Sequence, residues 1–176
     1  MRSRYRIVEN QAPIFLTSTI IEWLPVFTSA AYCEILCKAL GYCRENKGLK
    51  LYAYVIMDNH FHLIASAPDL SGTIRDLKSF TAKEINARLK NDGKGWLLNQ
   101  FAYFRKAYKE ESRLQIWQEG FHPQVILTDD MFVQKAEYIH NNPVRRGLVD
   151  MPEHWVYSSA SWFAGTGGVL EMDVME

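Results

Sequence analysis

The stretch LKLYAYVIMDNHFHLIAS, residues 49–66, decides the fold. Its first half is rich in β-branched and aromatic types and carries apolar groups at successive positions. That pattern marks a strand covered on both faces, and predicts a central one. Asp58 and Asn59 follow, two residues that tolerate left-handed backbone angles and suit a tight hairpin turn. HFHLIAS then reads as the returning strand. Residues two apart in a strand point to one face, so His60 and His62 sit side by side while Phe61 and Leu63 face the other way.

Upstream, residues 14–22 (IFLTSTIIE) predict another strand. A helix follows, capped by Thr28 or Ser29. Its apolar residues Tyr32, Ile35, Leu36, Ala39, Leu40 and Cys43 recur at three- and four-residue steps, and Gly48 is its stop. Downstream, Ser71 precedes a long helix whose seam is Ile74, Leu77, Ile85 and Leu89 and whose end is NDGKG. Residues 96–113 show no clean period. LQIWQEGFHPQVIL predicts a further strand or a pair of short ones, with Trp117 and His122 as structural elements there. Thr128 or Asp129 caps a last long helix, which Pro143 is expected to end because the residue before a proline avoids the helical region. The order β-α-β-β-α, then β-α, predicts an α+β fold: a ferredoxin-like split βαβ sheet, antiparallel and flanked by helices. We assign residues 1–165 to one domain and expect 166–176 to be a loose acidic tail.

Nearly half of the 176 residues are apolar, enough for a sizeable core and unlike a disordered chain. The formal charge is zero, but residues 71–113 carry ten Lys/Arg against five Asp/Glu, and residues 129–176 carry three against eight. A basic middle suits a polyanion bound on one face. Cys33, Cys37 and Cys43 are an odd number without C-x-x-C spacing, and read as buried free thiols. The N-terminal residues lack the apolar run of a signal peptide. The most apolar stretch, PIFLTSTIIEWLPVF, is interrupted by Glu22 and too short to cross a bilayer. The expectation is a cytoplasmic protein with no membrane partner.

Two adjacent imidazoles either share a metal ion or leave ring nitrogens that need other partners. A third ligand must come from elsewhere: His122, His140, His154, a carboxylate or an amide. In the last helix Phe132, Ala136 and Ile139 form the apolar seam. Gln134, Tyr138 and Asn142 fall on a different stripe at steps of four. Tyr138 is therefore not placed as a core tyrosine. Asn142, just before Pro143, is either a functional amide or a C-terminal cap.

YVIMDNHFHLIA and YIHNNPVRRGLV, with WQEGFH between them, resemble the HUH-type single-tyrosine transposases, and most closely the branch called REP-associated tyrosine transposases. The resemblance extends over roughly residues 5–165. It implies an HUH-nuclease fold with the histidine pair on a central strand of an antiparallel sheet, a nucleophilic tyrosine on a late helix, and a polar metal ligand one turn further on. By motif these are His60 and His62, Tyr138, and Asn142. Mobile insertion-sequence relatives commonly carry Gln at the last position, and the Asn-Pro here favours the REP-associated branch. His140, two residues from Tyr138 on a helix, should point away.

The resemblance implies a single-stranded DNA nuclease and strand transferase acting beside hairpins of REP-like repeats, in the nucleoid. The metal would be Mg²⁺ or Mn²⁺, although imidazoles by preference suit zinc, copper, iron or nickel. Tyr138 would attack phosphorus and form a 5′-phosphotyrosine, from which a second 3′-hydroxyl can rejoin strands. FAYFRKAYKEESR interleaves aromatics with Arg105, Lys106, Lys109 and Arg113, which suits a single strand. Arg145 and Arg146 are placed to touch phosphates, and Arg2, Arg4 and Arg6 to form a basic arm. Insertion-sequence relatives pair up, whereas a monomer is expected for the REP-associated branch. Two other readings remain open: a catalytically silent hairpin binder, and a metal phosphodiesterase that uses water.

Overall fold

The computed structural model describes residues 11–105 and 115–175. Four strands, β1 (Ile14–Thr19), β2 (Lys50–Ile56), β3 (His60–Ser66) and β4 (Gln124–Val125), form one sheet in the order β2-β3-β1-β4. All neighbours are antiparallel. This is the split βαβ arrangement expected from the order of elements. Helices α1 (Ala30–Lys47), α2 (Leu70–Asn91) and α3 (Gly95–Phe104) pack on one side. Helix α4 (Asp129–Arg145) covers the other, and a single turn, α5 (Ala160–Phe163), lies near the C-terminus.

Period-two alternation sorts each strand between two cores. Leu16, Leu51, Tyr54, Ile56, Phe61 and Leu63 join Leu36 and Leu40 of α1 and Ile74, Leu77, Ile85 and Leu89 of α2. Phe15, Ala53, Val55 and Ile64 join Ala136 and Ile139 of α4. The α2 seam skips a turn at Thr81, which is buried, donates to the Leu77 carbonyl and accepts from Trp117 Nε1 at 3.1 Å. Gly48 ends α1 in the left-handed conformation, as its position predicts.

Several expectations are corrected. Strand β2 is an outer strand of the sheet, not a central one. It reads as central because both faces are buried and the C-terminal segment covers its outer edge. Ile56 N donates to the Tyr157 carbonyl, Ser159 N to the Tyr54 carbonyl, and Trp155 Nε1 to the Ile56 carbonyl, all at 2.9 Å. The acidic tail is likewise not loose. Asp173 N donates to the Leu51 carbonyl at 2.7 Å, its carboxylate accepts from Leu51 N at 2.8 Å and pairs with Arg44, and Met172 is buried. Helix α2 starts at Leu70, capped by Asp69 and not by Ser71. The Asp69 carboxylate accepts from Gly72 N at 2.9 Å. Only glycine permits this approach, since a Cβ at position 72 would meet that carboxylate at 2.0 Å.

Strand β1 stops at Thr19 and gives way to a 3₁₀ turn, Ile21–Trp23, in which Glu22 and Trp23 hold left-handed φ of 52° and 55°. The turn at Asp58–Asn59 needs no left-handed residue. Among the described non-glycine residues only Glu22 and Trp23 have positive φ. The hairpin turn is instead held from outside: Val26 N and Phe27 N donate to the Asp58 carbonyl, and Ile20 N to the Asn59 carbonyl. Residues 115–125 provide a pair of short strands, not one long strand. Trp117 bridges to Ile20, and Gln124–Val125 pair with Ile14 and Phe15. Finally, α4 continues through Pro143 to Arg145. Asn142 is therefore inside the helix and buried, and does not cap it.

Candidate active site at the histidine pair

His60 and His62 project from β3, a central strand, towards α4. Their ring centroids are 4.7 Å apart. The Tyr138 ring approaches His62 edge-on at 5.4 Å. Phe15 stacks on His62 at 5.5 Å and meets Tyr138 edge-on at 6.0 Å, so it forms the floor between them. Tyr138 is 42% exposed and His62 only 5%. The phenol thus faces solvent at the rim while the imidazole forms the base.

Hydrogen bonds fix both imidazoles through Nδ1. His62 Nδ1 meets Thr17 Oγ1 at 2.7 Å, its cross-strand neighbour. His60 Nδ1 meets Asn59 Oδ1 at 2.7 Å. His62 Nε2 is buried and has no hydrogen-bond partner. A buried nitrogen without a partner is costly unless something fills the gap. Imidazoles held at one nitrogen with the other open are the usual arrangement of metal ligands. Burial drives the His60 pKa down to about 4, helped by the Arg146 charge and opposed by Asp58. His62 is pushed down to about 3, first by burial and then by His60, Arg145 and Lys135. Both rings are neutral near pH 7, as metal ligation requires. Among the described residues no group of three His, Cys, Asp or Glu side chains forms a metal cluster. A metal bound here would therefore need an amide, water or a substrate oxygen beside the histidines.

Asn142 lies one helical turn beyond Tyr138 and one turn before Arg146. Arg146 donates to both Asp58 carboxylate oxygens, at 3.0 and 3.2 Å. The stripe Tyr138, Asn142, Arg146 is thus pinned at one end to His62 and at the other to the turn preceding His60. That places Asn142 on the segment of α4 that faces the histidine pair. The Arg145 guanidinium lies over the Tyr138 ring, 4.4 Å from its centroid, and donates to the Tyr138 carbonyl. His140 points away, as expected: its Nε2 meets Ser159 Oγ at 2.7 Å and its ring packs on Phe163.

Of the other basic residues singled out from sequence, Arg105 sits exposed at the end of α3, on the opposite side of the sheet from α4. Lys106, Lys109, Arg113 and the arm Arg2, Arg4 and Arg6 lie outside the described residues. Four residues of the site were not anticipated. Phe15 and Thr17 join it only through the β1–β3 register. Asn59 is adjacent to His60 but reads as a turn residue. Lys135, whose ammonium lies 4.8 Å from the Phe15 centroid, carries the one legible signal: it is three residues before Tyr138, hence on a neighbouring helical face.

Paired histidines on a central antiparallel strand thus face a tyrosine from a late helix on a split βαβ scaffold. Residues 24–142 match the family model described as "Transposase IS200 like", and the chain belongs to that family. It is 26% identical, over 115 residues, to a Haemophilus influenzae protein assigned as a REP-associated tyrosine transposase; the match covers 65% of this chain and 61% of the relative. The chain thus matches about three-fifths of that protein's length. The fold is shared with a solved REP-associated tyrosine transposase bound to a REP hairpin, at 20% identity and a TM-score of 0.68, covering 100% of this chain and 94% of the other. The motif-based resemblance to this group is borne out. Among the described residues no helix is long and apolar enough to cross a membrane.

Proposed function

We propose that the protein is a metal-dependent single-stranded DNA endonuclease and strand transferase that acts beside hairpins through a 5′-phosphotyrosine. The observation that carries this reading is the Tyr138 ring 5.4 Å from His62, whose Nε2 is buried and open. The hairpin-bound relative supports the substrate class. His60, His62 and the Asn142 amide oxygen would hold the cation, Mg²⁺ or Mn²⁺. Such an ion neutralises non-bridging phosphate oxygens and orients the phosphate. The Tyr138 oxygen attacks phosphorus in line as its proton leaves. An O–P bond forms to tyrosine, and the bond from phosphorus to the 3′ oxygen breaks, releasing a 3′-hydroxyl. Phe15 and Arg145 hold the ring at the rim, and Arg145 presents positive charge beside the arriving phosphate. A second 3′-hydroxyl reverses the step. The imidazoles, phenol and amide all come from one chain, which supports action as a monomer.

The test is incubation of the protein with labelled hairpin-bearing single strands and Mn²⁺, followed by denaturing electrophoresis. The expected result is a covalent protein–DNA species, lost in Tyr138→Phe together with cleavage. Cleavage without that species favours a water-using phosphodiesterase. Binding without cleavage favours a silent hairpin binder. An adduct that persists in Tyr138→Phe places the nucleophile elsewhere.

A further inference from the structure

We propose that Asn59 is a positioning residue that sets the tautomer of His60 and so makes its Nε2 a metal ligand. This rests on the metal-dependent reading above. The chain of contacts begins at the 3₁₀ turn after β1. Trp23 adopts a left-handed backbone (φ 55°), rare for a bulky side chain. Backbone outliers of this kind gather where the structure holds a functional group in place. The Trp23 carbonyl accepts from Asn59 Nδ2 at 3.2 Å. That contact fixes the amide, because the flipped orientation would set two oxygens against each other. Asn59 Oδ1 must then face His60 Nδ1, at 2.7 Å.

A carbonyl oxygen only accepts, so His60 Nδ1 carries the proton. A neutral imidazole has a single N–H, so a proton on Nδ1 leaves the lone pair on Nε2. Histidine side chains in water prefer the other tautomer, with the proton on Nε2, and Asn59 overturns that preference. Thr17 cannot do the same for His62: a hydroxyl donates or accepts equally, so its 2.7 Å contact is compatible with either tautomer. The two histidines of one pair are therefore held differently, and only His60 is locked by its neighbour.

Two measurements on Asn59 variants test this. The first is long-range ¹H–¹⁵N NMR of metal-free protein, which reads the protonated nitrogen of His60 directly. The second is Mn²⁺ affinity by calorimetry. Asn59 has no left-handed φ, and its backbone carbonyl still accepts from Ile20 N in any variant, so the hairpin is retained. Wild type should carry the proton on Nδ1. Asn59→Ala should move it towards Nε2 and weaken Mn²⁺ binding about 10–100-fold, the usual cost of losing such a support. Asn59→Asp, whose carboxylate still accepts from Nδ1–H, should retain the wild-type tautomer. A wild-type proton on Nε2, or an Asn59→Ala variant with wild-type affinity, overturns the proposal. If wild type binds no Mn²⁺ while the tautomers behave as stated, the metal reading fails and the positioning of His60 stands.

Discussion

Arg145 and Arg146 are adjacent, equally charged and both near the site, yet they should affect DNA binding in different ways. Among the described residues Arg145 forms no ion pair: its guanidinium rests on the Tyr138 ring and the Tyr138 carbonyl. Arg146 is already engaged by both oxygens of Asp58. Only the first is free to displace counterions from a phosphate. Each phosphate contact to a single strand contributes about 0.7 to the slope of log affinity against log salt. Arg145→Gln should therefore lower that slope by about 0.7, and between ~50 and ~200 mM salt it should lose about 2.6-fold less affinity than wild type. The comparison is Asp58→Asn with Arg146→Gln, which removes the pair without changing net charge and should leave the slope unaltered. Because that pair is partly exposed, its loss should cost no more than about 1 kcal/mol of stability, and circular dichroism would check that the variant is folded. The assay is fluorescence anisotropy of a labelled single strand across a salt series. A wild-type slope in Arg145→Gln, or an equal fall in the double variant, refutes the assignment.

Asp173→Ala leaves the amide of fully buried Leu51 without its side-chain acceptor and Arg44 without its carboxylate; the cost should be about 1–3 kcal/mol. Thermal melting should show a drop of about 5 °C, with less than half of it in Asp173→Asn, and an unchanged midpoint would mean that the C-terminal strap does not stabilise β2. Burial raises the Cys33 and Cys37 thiols to about 12. Unfolded thiols ionise first, so their contribution to stability is intact below pH ~9 and is lost as pH rises towards 12, at about 1.4 kcal/mol per pH unit for each thiol. A thiol reagent at pH 8 should accordingly label neither cysteine in the folded protein and both in urea; rapid labelling of the native state would contradict their burial.

The parts legible in the sequence are those written locally. The β2–β3 hairpin, the common face of His60 and His62, the α1 seam ending at Gly48 and the Thr128 cap of α4 each follow from a period or a single residue type. Helix α3 was hidden because exposed aromatics, Trp96 and Tyr103, stand among its core-facing residues Leu97, Leu98, Phe101 and Phe104 and blur the period. The outer position of β2 was hidden because a strap more than a hundred residues downstream covers it. Thr17 and Phe15 enter the site through a cross-strand register, which no local pattern encodes.

Proline 143 shows how a sound local rule yields to tertiary structure, and why that matters for the site. A proline removes one N–H from the helical ladder and disfavours helix in the residue before it. Here that residue, Asn142, stays helical. The turn that follows is secured from outside, since Arg146 reaches Asp58 and the Leu148 amide donates to the Pro143 carbonyl. Had the helix stopped at Asn142, Arg146 would have left the stripe shared with Tyr138 and Asn142, and the end of α4 would have lost its tie to the hairpin. The extra turn keeps one side of α4 docked at both ends of the histidine pair. The distance between Tyr138 and Asn142 is then set by one turn of rigid helix, with no dependence on loop conformation. In the proposed mechanism, a phosphate meeting the Tyr138 phenol and a cation at the same time would depend on that fixed spacing.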